Sequence, residues 1–159
     1  MSEPYEETIQ GEITLRLPPG PRHELICGRL YELVKASVAN FPGTKLLEVR
    51  SEIQLDADTS IRPDLALVAA ATGKLWLAVE VVNSEDHKPD TVYKKELYES
   101  CKLPRLWMVD PRYDNVEVYH ASEYGMRLQE ILAGQDLLTE KLLPEFQITI
   151  ADLFAAKSS

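Results

Sequence analysis

The chain has 159 residues and a mass of 18.0 kDa, with 45% hydrophobic and 27% charged residues. That length and composition point to one globular domain spanning 1–159 and exclude a disordered, collagen-like or coiled-coil chain. Lys and Arg number 17 against 26 Asp and Glu, a net charge of −9; phosphate contacts draw on clustered Lys and Arg, so a nucleic acid would need a local basic strip or metal-masked carboxylates.

Residues 1–10 predict a loose acidic arm. They lack the basic-then-apolar pattern of a signal peptide, and no apolar run approaches the roughly 20 residues of a membrane span, so a cytoplasmic protein is expected. Cys27 and Cys101 lie outside any CxxC and read as buried or half-buried reduced thiols. His23, His87 and His120 are isolated and form no His-rich metal pattern.

Gly11 to Leu17 alternates apolar and polar residues and predicts a strand. Pro18-Pro19-Gly20-Pro21 stops it. From Arg22 to about Asn40, Leu25, Ile26, Leu30, Leu33, Val34 and Val38 recur at helical spacing. Phe41-Pro42-Gly43 ends that helix. Leu46 to Leu55 alternates again and predicts a strand, followed by a turn at Asp56–Thr59. Arg62 to Ala70 and Leu75 to Val82 are short apolar runs, as expected of strands buried on both faces. Asn83 to Pro89 is a polar loop, and Asp90 suits the N-cap of a helix running to about Lys102. Leu106 to Val109 predicts a strand that ends at Asp110-Pro111. Val116 to His120 and Met126 to Leu132 read as a closing hairpin. A last strand over Gln147 to Ile150 and a short helix ending in Phe154 follow. The order implies a mixed sheet flanked by helices, an α+β protein. None of the seven glycines forms a phosphate cradle of the GxGxxG or GxxxxGK kind.

The hairpin over residues 62–82 is the informative segment. A three-residue loop Ala71-Thr72-Gly73, with Gly73 supplying the positive φ, sets the register. Counted back from that loop, Asp64 faces Glu80, with Cβ atoms roughly 5 Å apart. Ala66, Ala78, Val68 and Trp76 share their face; Leu65, Leu67, Leu75, Leu77 and Val79 take the other. Two opposed carboxylates in apolar strands repel, and burial adds to the cost. A divalent cation removes that cost, since Mg²⁺ is usually held by one or two carboxylates plus substrate phosphates and water. The plain reading stays open beside it: both acids sit wet at the strand ends.

Phosphodiester hydrolysis also gains from a nearby cation. The following helix supplies one. At about 100° per residue, Tyr93, Leu97 and Cys101 share a face, with Lys94 at its edge near Tyr98 and Lys95 pointing outward. Lys94 therefore reaches back to the carboxylates, and Lys95 is solvated. His23 either polarises a phosphate at the helix N-terminus or simply starts the helix. His87 and His120 read as surface residues, Trp76 and Trp107 as core, and Asp110 as a turn former. No serine has a His/Asp partner at readable spacing.

Arg62-Pro63-Asp64, Ala78-Val79-Glu80-Val81-Val82-Asn83-Ser84, Asp90 with Lys94 and Tyr98, and Leu106-Trp107-Met108-Val109-Asp110-Pro111 together resemble the Uma2 family. That family belongs to the PD-(D/E)XK restriction-endonuclease-like superfamily. Pro18-Pro19 with His23, Val116-Glu117-Val118-Tyr119, and Leu143-Pro144-Glu145-Phe146 before Leu153-Phe154 extend the likeness from about Gln10 to Phe154. The resemblance implies an αβββαβ core with an added C-terminal hairpin, Asp64 and Glu80 as ligands of Mg²⁺ or Mn²⁺, and Lys94 as the catalytic lysine displaced onto the helix. In many such folds an acid of the first helix joins the metal shell; Glu24 and Glu32 are the candidates. Asn83-Ser84-Glu85-Asp86 departs from the family's Ser-Pro-Ser-like loop and adds negative charge beside the site.

The expected function is a metal-dependent endonuclease acting on DNA, with RNA left open. The alternatives are a catalytically inactive nuclease-fold protein that binds or regulates, and a structural protein with exposed carboxylates. A homodimer built on strand Leu46–Leu55 or the terminal hairpin would place two sites on one duplex.

Overall fold

The computed structural model describes residues 3–83 and 89–156. Ser84-Glu85-Asp86 and His87, which the sequence reading places in an acidic loop and on the surface, lie outside the described residues, as does the side chain of Asp90.

Two short strands, β1 (Tyr5–Ile9) and β2 (Glu12–Arg16), open the chain as an antiparallel hairpin. This corrects the expectation of a loose acidic arm. Gln10 and Gly11 join the strands, both at positive φ (51° and 81°). A two-residue turn of that hand matches strand twist and closes a hairpin.

Helix α1 (Pro21–Val38) follows, with Pro21 in its first turn. Proline is preorganised there because its missing N–H would have no partner anyway. Ile26, Cys27, Leu30 and Val34 form its buried face, while Leu33 is exposed.

Strand β3 (Thr44–Leu46) is shorter than the expected Leu46 to Leu55 run, and β4 (Ile53–Asp56) belongs to a different sheet. Between them the chain turns, with the Ser51 amide donating to the Glu48 carbonyl and Arg50 at φ 55°. A left-handed non-glycine residue costs about 1–2 kcal/mol, and alternation in the sequence carries no sign of it. Strand β5 (Thr59–Ile61), also unforeseen, pairs with β4 and β1.

Strands β6 (Leu65–Ala69) and β7 (Leu75–Val81) form the predicted hairpin. Leu65 faces Val79, Ala66 faces Ala78 and Leu67 faces Leu77, as expected; Asp64 lies in the bend just before β6, and Glu80 follows Val79 on β7. The loop differs from the expectation. Val68 faces Leu75, which makes the loop one residue longer, and a bulge at Trp76 restores the register. Leu75 and Trp76 consequently exchange faces: Leu75 packs with Ala66 and Ala78, and Trp76 against the opposite core. Gly73 has the required positive φ of 73°.

A π-helical turn (Pro89–Lys94) runs straight into α2 (Lys95–Ser100). Then come β8 (Arg105–Asp110), β9 (Asn115–Ser122) and β10 (Gly125–Ala133), and a second hairpin of β11 (Leu137–Glu140) and β12 (Leu143–Thr149). Strand β11 was not foreseen. Helix α3 (Ile150–Phe154) closes the described chain, its Thr149 hydroxyl accepting from the Asp152 amide.

The central sheet has the order β10-β9-β8-β7-β6-β3, and β7–β8 is its one parallel pair among the described residues. Elements α1, β3, β6, β7, α2 and β8 make the expected αβββαβ core. The β9–β10 extension and the β11–β12 hairpin are added to it. Helices α1 and α3 and strand β12 cover one face, around Trp107, Leu138 and Phe146. Helix α2 and the small sheet β2-β1-β5-β4 cover the other, around Ile61, Ala78 and Leu106. Each fully buried Leu, Ile or Val contributes about 1.5–3 kcal/mol. No helix among the described residues is long and apolar enough to cross a membrane.

The cysteines are free; Cys27 is buried, but Cys101 is exposed, because α2 ends before it. Asp110 forms the expected turn, its carboxylate accepting from the amide and guanidinium of Arg112.

Candidate active site

Two buried ion clusters meet at the open end of the β6–β7 hairpin. Unpaired, a buried carboxylate costs several kcal/mol. Each carboxylate here is paired with a cation, Arg50 and Lys94 each serving two.

Asp64 sits just before β6 and is 2% exposed. Its Oδ1 accepts from Arg50 Nε at 2.9 Å, and its Oδ2 accepts from the Val81 amide at 2.7 Å. His23, in the first turn of α1, lies 3.6 Å from Oδ2 and donates through Nε2 to the Val81 carbonyl at 2.8 Å. Burial alone would raise the Asp64 pKa; His23, Arg50 and the Val81 amide outweigh it and hold the carboxyl below its usual range. His23 is therefore part of the site rather than only a helix start. Burial opposes its protonation, and the Asp64 carboxylate reverses that and raises its pKa.

Arg50 Nη2 also pairs with Glu24 and donates to His23 Nδ1 at 3.4 Å. Of the two first-helix acids, Glu24 thus joins this cluster, while Glu32 lies on the exposed face of α1.

Glu80, in the last turn of the β7 pleat, takes different partners. Its Oε2 accepts from the Tyr98 hydroxyl at 2.6 Å and pairs with Lys94 Nζ at 2.5 Å. Lys94 and Tyr98 are both closed to solvent, and Lys94 caps the π-helical turn. Such turns are rare and frequent at functional sites. The buried face of the helix is thus Lys94, Leu97 and Tyr98; Tyr93, expected there, is 53% exposed. Lys95 is half-buried rather than fully solvated, its ammonium 4.7 Å from the centre of the Tyr119 ring.

Glu7 is the residue that sequence reasoning missed. It comes from β1, is 1% exposed, and its Oε2 lies 2.7 Å from Lys94 Nζ and 2.7 Å from the Arg62 amide. Its Oε1 pairs with Arg16 Nη1 at 2.6 Å. Burial would raise its pKa, but Lys94 and Arg16 more than offset this and lower it. The signal in the sequence was the Gln10-Gly11 turn, which folds the acidic arm back onto itself. Arg50 had no signal at all.

Among the described residues, ion pairs bring the carboxylates of Glu7, Glu24, Asp64 and Glu80 onto Arg16, Arg50 and Lys94. The oxygens gathered here are those of Asp64 and Glu80, with the Val81 carbonyl already accepting from His23. Hard carboxylate oxygens are the donors that fit Mg²⁺ or Mn²⁺. Among the described residues no three His, Cys, Asp or Glu side chains converge as a complete cage. Beside His23, a cavity of about 240 Å³ opens between Pro18, Arg22, Val82 and Asn83.

A family model described as "Uma2: Putative restriction endonuclease" matches residues 2–151. The chain is also similar to the crystal structure of a "putative nuclease belonging to DUF820" from Anabaena variabilis ATCC 29413. The TM-score is 0.80 at 17% sequence identity, covering 96% of this chain and 91% of that one. At that identity the likeness shows the fold. No curated protein matches the chain.

Proposed function

Because the chain belongs to the Uma2 family, we propose that it is a metal-dependent endonuclease that hydrolyses phosphodiester bonds in DNA. The observation that carries this reading is the buried Lys94 on Glu80, at the hairpin end that also presents Asp64. Asp64 and Glu80 would hold Mg²⁺ or Mn²⁺. A bound divalent ion supplies an acidified water and charge stabilisation at a phosphoryl oxygen. Lys94 orients the attacking water or steadies the charge that develops on the phosphate oxygens. Glu7 holds the ammonium from a second side, Tyr98 donates to Glu80, and His23 and Arg50 hold Asp64 in one rotamer. The cytoplasm is the proposed compartment. A homodimer would put two such sites on one duplex, and a clean monomer in light scattering would remove that part.

One observation favours a second reading. Arg50 already neutralises Asp64, as it would in a nuclease fold that binds nucleic acid or protein without cutting. Cleavage of supercoiled plasmid in Mn²⁺ and then Mg²⁺, beside Asp64→Ala purified identically, separates the two. Metal-dependent nicking by the parent and none by the variant is expected. No cleavage by either favours the binding protein.

A further inference from the structure

Arg50 is a costly residue. Its side chain is 1% exposed and its backbone is left-handed at φ 55°. Both ends of its backbone are tied to the site: its amide donates to the Asp64 carbonyl at 3.3 Å, and its carbonyl accepts from Arg62 Nη1 at 3.1 Å. Its guanidinium is only partly used. Nε serves Asp64 and Nη2 serves Glu24 and His23, while the buried Nη1 has no hydrogen-bond partner among the described residues.

The oxygen it occupies is the informative part. Asp64 Oδ2 accepts from the Val81 amide and has His23 3.6 Å away, so Oδ1 is the less crowded oxygen for a cation, and Arg50 Nε is on it. A guanidinium stays charged at any pH a protein tolerates. It cannot yield to a divalent ion by losing a proton; it has to move. Glu24 gives it somewhere to go: that carboxylate already pairs with Nη2, is about a third exposed, and lines the open groove along α1. A small rotation about the Glu24 contact sacrifices one hydrogen bond, the one to Asp64.

We infer that Arg50 is a built-in counter-ion that holds Asp64 when no metal is bound and is displaced toward Glu24 when a divalent cation loads. This rests on the proposed metal site at Asp64 and Glu80. It means that the chain carries its own competitor for metal, and that loading is coupled to an arginine movement.

The test is Mn²⁺ binding to the purified protein by calorimetry or by the electron paramagnetic resonance of the free ion. Arg50→Met is expected to bind Mn²⁺ at least about tenfold more tightly than the parent. Arg50→Lys, which keeps the charge, is expected to stay near the parent. Equal affinity in the parent and Arg50→Met overturns the inference and leaves the metal site standing. A gain in Arg50→Lys as large as in Arg50→Met also overturns it, because charge is then not the cause. Absence of binding in the folded parent and in Arg50→Met overturns both readings. Should Arg50→Met not fold, the parent alone decides. Its Arg50 Nε–H resonance, assigned through Arg50→Lys, is expected to shift and to exchange faster as Mg²⁺ saturates. An unchanged Nε–H while the Val81 amide shifts overturns the inference; no shift at either group overturns the metal site with it.

Discussion

Glu7 reaches Lys94 across most of the chain: its Oε2 lies 2.7 Å from the lysine Nζ, and both side chains are closed to solvent. The first strand thereby fixes the residue proposed to act in catalysis. Breaking a buried ion pair by removing one partner costs about 3–5 kcal/mol, far more than a surface pair. Glu7→Gln should lose stability of that order at neutral pH. The sign with pH follows from the lowered pKa of Glu7. Its contribution is complete above the unfolded value of about 4.5 and disappears as pH falls through the folded value. Urea melts of parent and variant should therefore differ most at neutral pH and converge in acid. A constant gap across that range would contradict the ion-pair account.

Lys94 and Lys95 are neighbours in sequence with opposite environments. Lys94 is sealed against Glu80 and Glu7, whereas Lys95 covers the Tyr119 ring. Lys94→Ala should abolish plasmid cleavage. Lys95→Ala should leave the rate within about twofold and cost about 0.5–2 kcal/mol of stability, the worth of a partly desolvated cation–π contact. Equal loss of activity at both positions would sink the assignment.

Tyr98 donates to Glu80 from a fully buried position. Hydrogen bonds to charged groups are worth about 1.5–3 kcal/mol. Tyr98→Phe keeps the ring packing and deletes only that bond, so a stability loss in this range is expected from urea denaturation. The cleavage rate should fall as well, since Glu80 loses one of the groups that set its rotamer. An unchanged rate would separate Tyr98 from the site.

Much of this site was legible before the structure, and for unequal reasons. The register of the β6–β7 hairpin came from a glycine turn, and it holds from Leu65–Val79 to Leu67–Leu77 although the loop is longer than assumed, because the bulge at Trp76 shifts the pairing back. Two departures offset each other there. Lys94 was legible because helical spacing fixes which lysine faces the sheet, although the buried face turned out to centre on Lys94, Leu97 and Tyr98. Glu7 and Arg50 were not legible. Acids on β1 look like a solvated arm until the Gln10-Gly11 turn is recognised. Arg50 looks like a polar position in an alternating strand until the chain turns left-handed at that residue. Both are buried by partners distant in sequence, and local pattern carries no information about those partners.

Two glycines should respond to alanine with opposite signs. Gly28 lies exposed inside α1, with nothing within 4 Å of an added Cβ. Alanine there removes backbone freedom from the unfolded chain and should stabilise by about 0.5–1 kcal/mol. Gly73 also has open space around it, but its φ is 73°, and its amide donates to the Ala69 carbonyl at 2.7 Å. The cost of Gly73→Ala is therefore conformational, about 1–2 kcal/mol, with no steric part. Urea midpoints of the two variants should move apart; a shift of both in one direction would contradict the assignment of the turn. Gly73 also bears on the site, because this turn takes part in setting the β6–β7 register. A strand that slips by one position turns every side chain to the other face. Gly73→Ala should thus lose more cleavage activity than Gly28→Ala even where both variants are fully folded.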